Sequence, residues 1–197
     1  VGRPSDKARA RQLYAKASDL GFAKSACALG NLLLSGEGGP ADPKRGIELC
    51  RRAAKAGDVD AQTDYGGYLL VGRNVSKDVV EARRYLALAA ARKQRNAAFL
   101  LGQIYWNGDG VEKDRAEAAR WWRVAHEAGR PDAARLLGLE ALGRLVAASE
   151  ARQPIPASIV EEARQWMAIA AERDPDPARR REAADLLSHL KGMAAAD

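Results

Sequence analysis

The side chains of this 197-residue chain best suited to chemistry are His126 and His189, Cys27 and Cys50, and a scatter of carboxylates, and their spacing argues against the common reactions. The histidines lie far apart, and neither has a local cysteine or carboxylate cluster at metal-ligand spacing. No nucleophile is expected either. The serines, Ser35, Ser76 and Ser149 among them, lack a nucleophile-elbow context, and neither cysteine has a histidine nearby in sequence. The segment Gly36 to Gly39 resembles a phosphate loop only superficially, because no Lys-Ser/Thr pair follows it. A glycan hydrolase using Glu161 and Glu162 is a remote alternative: neighbours on a helix point about 100° apart and cannot converge on one bond. First-turn acids beside a helix dipole are the simpler reading. We therefore expect no catalytic residues, no cofactor and no bound metal.

What would position these residues is a repeat. Gly30, Gly66, Gly102 and Gly138 recur every 36 residues; Gly36, Gly72 and Gly108 keep the same step, as do Asp42, Asp78 and Asp114, and Ala53, Ala89 and Ala125. Within one unit, Leu101, Ile104 and Tyr105 fall at helical spacing before the breaker cluster Asn107 to Gly110. Asp114 can then cap a second helix, along which Ala118, Trp121, Trp122 and Ala125 form an apolar stripe up to Gly129. Each unit thus reads as a helical hairpin. Gly102 would let its two helices approach, facing Ala118 and Ala125, while Tyr85, Trp121 and Trp166 fill a shared position with a large ring.

The fold class that follows is all-α, a right-handed solenoid of antiparallel helix pairs, with residues 1–197 as one domain. Its divisions are the second helix of a partial repeat over 6–24, full repeats over 25–60, 61–96 and 97–132, a longer repeat over 133–177 and a capping helix over 178–191. The extra residues of the fourth repeat, around Ala147 to Ser158, read as a lengthened loop stiffened by Pro154 and Pro156, with Ile155 able to offer a rigid apolar contact.

Composition adds exclusions. The formal charge of +6 comes from 32 basic and 26 acidic side chains interspersed along the chain, which describes a solvated surface. Nucleic acid is not an expected partner: Arg179, Arg180 and Arg181 form the densest basic segment, without aromatic interleaving. No apolar run has the length of a membrane span, and the start at Val1 leaves room for a removed leader, lipid anchor or upstream region.

Leu101, Gly102, Tyr105, Gly108, Gly110, Val111, Asp114, Ala118, Trp121, Trp122, Ala125 and Gly129 together resemble the Sel1-like repeat pattern, related to tetratricopeptide repeats. The resemblance implies a non-enzymatic protein-binding adaptor, bacterial and periplasmic or otherwise exported. An immunity protein that neutralises a secreted toxin, such as a lipase effector, is the alternative it allows. Cysteine-rich members join the two helices of a unit near positions equivalent to Ala26 and Ala54, so Cys27 and Cys50 depart from that arrangement. About one turn out of register, they are expected to be two buried small hydrophobes, although a bridge in an oxidising compartment stays open.

Related repeats bind partners on the face lined by first helices, at positions three before, one after and four after the repeat glycine. Applied here, that rule selects Cys27, Asn31 and Leu34; Thr63, Gly67 and Leu70; Phe99, Gln103 and Trp106; and Arg135, Leu139 and Leu142. Trp106 stands out. Tyr105 already occupies the core position, and the next residue turns toward another face, where a ring beside Gln103 and Arg135 would make a binding hot spot.

Overall fold

The computed structural model describes residues 4–192, and side chains from residue 6 onward. Among them the chain forms ten helices and no strand: α1 (Pro4–Asp19), α2 (Ala23–Ser35), α3 (Pro43–Lys55), α4 (Val59–Val71), α5 (Val79–Ala91), α6 (Arg95–Asn107), α7 (Arg115–Glu127), α8 (Ala133–Glu150), α9 (Ala157–Arg173) and α10 (Pro177–Gly192). Helices α2, α4 and α6 start 36 residues apart, and so do α3, α5 and α7. Two compact units result, divided in sequence after Leu100, inside α6.

Local chemistry sets the helix ends. The side chains of Asp42, Asp78 and Asp114 accept from the backbone N–H three residues on, at 3.1, 2.9 and 2.9 Å, and start α3, α5 and α7. Gly36 and Gly72 end α2 and α4 at φ of 72° and 74°, backbone that a side chain would strain. Leu13 on α1 occupies the place that Leu49 holds on α3. Leu49 is covered by Leu29 and Leu33 of α2, whereas α1 has no first helix of its own among the described residues, and Leu13 stays 57% exposed.

The longer fourth repeat corrects the sequence reading. Its extra residues form helix rather than loop: α8 has 18 residues and α9 has 17, against 13 in α2 to α7, and the connection shrinks to residues 151–156. The cause lies at Arg144, which stands where the other repeats place a loop glycine. Without that stop, α8 runs on through Val146, Ala147 and Ala148 until Pro154 and Pro156 forbid helix. Ile155 is correspondingly half-buried against the core of Val160, Met167 and Leu190, and offers no projecting contact.

Candidate functional site

The contact between the two helices of a hairpin differs in part from the expected one. A Cβ at Gly66 would meet Leu86 at 2.9 Å, one at Gly102 would meet Trp122 at 2.3 Å, and one at Gly138 would meet Met167 at 2.7 Å. Gly66, Gly102 and Gly138 therefore each cradle a large side chain, one residue beyond the ring position inferred from sequence, while the Ala82 carbonyl, at the place equivalent to Ala118, would also lie 3.3 Å from a Cβ at Gly66. Trp122 is 1% exposed, while Trp121 and Trp166 are only half-buried. The period alone does not fix this choice, because adjacent residues on an amphipathic stripe share the same repeat.

The first hairpin has no large residue to cradle. Gly30 meets a second glycine, Gly46, whose carbonyl oxygen would lie 2.6 Å from an added Cβ, and the backbones close on each other there. That contact sets the antiparallel register, and one turn away from it Cys27 of α2 lies opposite Cys50 of α3 with the Cα atoms 4.1 Å apart. The two are joined in a disulfide, against the expectation of two separate buried side chains. The family's usual positions suggested a mismatch of one turn; the Gly30–Gly46 contact removes it.

On the first-helix face of the unit before Leu100, Asn31 donates from Nδ2 to Asp64 at 2.7 Å and accepts from the Tyr68 hydroxyl at 2.7 Å. Asp64 and Tyr68 were not foreseen, because they lie outside the three positions that the repeat rule selects. Burial raises the Asp64 carboxyl above its ordinary range, with Asp60 and Asp58 adding to the effect and the Asn31 bond opposing it. Leu34 packs over Gly46, Leu70 over the core around Tyr65, and Thr63 is 6% exposed with its hydroxyl donating to the Val59 carbonyl. Phe99 is half-buried, and Gly67 faces Leu100 at ordinary contact distance.

In the second unit Trp106 is half-buried. Its ring lies 5.4 Å from that of Trp122 and carries the Arg115 guanidinium 5.3 Å above its centre. Gln103 is also half-buried, one turn before Trp106. Arg135 reaches Glu182 of α10 at 3.7 Å, and Leu139 and Leu142 pack against the α8–α9–α10 core. The predicted residues are thus divided: Trp106 and Gln103 keep open surface, while Arg135, Leu139 and Leu142 are partly engaged in folding.

A charge network sits beside them. Arg144 bridges Glu140, at 3.1 Å, and Glu162, which also accepts from Arg123 at 2.6 Å. Glu140 is 5% exposed; burial pushes its carboxyl up, and Arg144 offsets only part of that. Burial pushes Glu162 the same way, but the bonds from Arg144 and Arg123 outweigh it and hold the carboxyl down. Arg144→Met should cost about 2 kcal/mol in chemical denaturation at pH 7, since it strands the Glu140 charge; we set this below the usual buried-pair value because Arg144 is partly solvated. The sign with pH follows. In the variant, a raised Glu140 pKa means that its penalty is present when it is ionised and relieved as pH falls, so the difference from wild type should shrink toward the ordinary glutamate value of 4.5.

The other groups weighed for chemistry are placed as follows. His126 packs edge-on against Trp166 at 5.2 Å, and His189 Nδ1 lies 2.7 Å from the Asp185 carbonyl oxygen. Glu161 accepts from Gln165, whereas Glu162 is clamped by two arginines, so the pair shares no target. Arg179 pairs with Asp176, and Arg180 donates to the Asp174 carbonyl. Among the described residues no three histidine, cysteine or carboxylate side chains converge as metal ligands, and no helix is long and apolar enough to cross a membrane.

Helical hairpins at a 36-residue step, each closed at a glycine of its first helix, define a helix-pair repeat protein. The chain belongs to the Sel1 repeat family, whose model matches residues 1–22, 23–58, 59–93, 95–129 and 150–175. Several solved structures are similar. The Sel1 repeat protein from Oxalobacter formigenes is 26% identical with a TM-score of 0.73, and the match covers 93% of this chain and 79% of that one. A protective antigen present in uropathogenic Escherichia coli strains, displaying an SLR fold, is 26% identical with a TM-score of 0.74 over 91% of this chain. The match spans 36% of that antigen's length. A search of curated sequences gave no significant match. Proteins of the Sel1 repeat family typically mediate protein–protein interactions.

Proposed function

We propose that this chain is a non-catalytic scaffold that binds a protein partner on its first-helix faces, in an oxidising compartment such as the periplasm. The observation that carries the binding role is Trp106. A large ring fixed between Trp122 and Arg115, yet half open beside Gln103, offers aromatic contact area already ordered before association. Asn31, Asp64 and Tyr68 supply an equally fixed polar patch on the other unit's first-helix face. The compartment rests on the Cys27–Cys50 disulfide, a bond that reducing cytosol disfavours.

The test is comparative capture. A partner held by the wild-type chain should be bound about 2 kcal/mol more weakly by Trp106→Ala, the scale of an aromatic hot spot. Because the ring also packs on Trp122, the variant's melting curve must be recorded alongside. Undiminished capture by a folded Trp106→Ala protein would remove the proposed face, and product released from peptidoglycan fragments by the purified chain would refute the non-catalytic reading.

A further inference from the structure

Away from the first-helix faces, α1, α2 and the loop entering α3 enclose a cleft of about 300 Å³. Leu29 and Leu33 of α2 and Ala8 and Ala15 of α1 give it apolar walls, and Arg11 and Arg45 are the cationic residues among its lining. Arg11 is held in place from one side only. Its Nη2 donates to the Pro40 carbonyl at 2.8 Å, while Nη1 is buried and has no hydrogen-bond partner. A Cβ at Gly39 would come within 3.0 Å of Nη1, so the guanidinium lies close against the loop. A buried cationic donor left unpaired is costly, and since Nη1 has no open surface an anion in the cleft would offset the charge of the guanidinium without bonding to that nitrogen.

The acids of the neighbourhood are already engaged. Glu37 pairs with Lys7 at 2.7 Å, and Asp42 caps α3 through the Arg45 backbone N–H. Nor is the cleft a general property of the repeat. One period on, Ala8, Arg11 and Ala15 become Lys44, Ile47 and Arg51, Gly39 becomes Val75, and Arg45 becomes Glu81. The equivalent place is thus lined by larger side chains, and the charge at its rim is reversed.

We infer that this cleft binds a carboxylate carried on a short aliphatic tail. Guanidinium groups match the planar carboxylate, and the leucine and alanine walls take the hydrocarbon. The volume lies at the lower end of ligand pockets, which are on the order of 300 to 1,000 Å³. A free aliphatic acid and a peptide C-terminus ending in an aliphatic residue present the same chemistry to it.

Titration calorimetry on the full chain tests the assignment with 4-methylpentanoate, its neutral amide, inorganic phosphate, and a short peptide ending in leucine as free acid or amide. Saturable binding of the acids is expected, with each amide and phosphate roughly tenfold weaker or worse, the scale of one lost charge-assisted contact. Arg45→Gln, exposed and safe for the fold, should weaken the acids by about the same factor, and Ala15→Leu should block the tail. A tighter peptide acid than free acid assigns the C-terminal source, and the reverse order assigns the small acid. Absence of saturation by about 10 mM, an amide equal to its acid, or an unaffected Arg45→Gln variant would overturn the site.

Discussion

Reducing the Cys27–Cys50 disulfide should lower stability by about 3 kcal/mol, the chain-entropy value for closing a loop of this size. The bridge spans 23 positions in sequence, from α2 to α3. In melting experiments that loss corresponds to roughly 6–12 °C for a chain of this length. Cys27→Ala/Cys50→Ala should reproduce most of it and make the melting temperature insensitive to reductant. The bond itself is checked by thiol titration in denaturant: protein prepared under oxidising conditions should show no free thiol, then two after reduction. Two reactive thiols before reduction, or equal melting temperatures with and without reductant, would show that the hairpin closes without the bond.

The second large effect concerns two glycines that helix propensity treats alike. Gly102→Ala should destabilise by about 3 kcal/mol, because the new Cβ would lie 2.3 Å from a ring atom of Trp122. That ring is fully buried with Trp106 beside it, so little room exists for it to yield. Gly67→Ala has the opposite sign. Its Cβ would meet only Leu100, at 3.9 Å, and removing a helical glycine should add up to about 1 kcal/mol. Urea denaturation of both variants decides the point; a Gly102→Ala protein as stable as wild type would mean that the hairpin does not rest on this contact.

These glycines also show how far sequence carries the fold. Glycine at four positions 36 residues apart, with capping aspartates and breaker loops in phase, is enough to place helix pairs, since those signals act over a few residues each. The extension of α8 is legible too: the glycine that stops the other first helices is Arg144 there, while Pro154 and Pro156 carry the competing signal for a loop. The candidate face was only partly legible. Trp106 stood out by following a core tyrosine, whereas the Asn31–Asp64–Tyr68 cluster arises between α2 and α4, and no rule confined to one repeat finds partners in the next.

By itself, then, the order of residues determined the helices, their period and their membership of a repeat family, because local propensity and hydrophobic spacing are properties of short segments. Tertiary structure decided which of two adjacent residues fills each glycine's hollow, that Cys27 meets Cys50, that Glu140 must share Arg144 with Glu162, and that Arg11 is left with an unpaired nitrogen. Those outcomes depend on register and on distances of a few tenths of an ångström between helices. Such distances are set jointly by all the side chains packed between two helices, so no single stretch of sequence contains them.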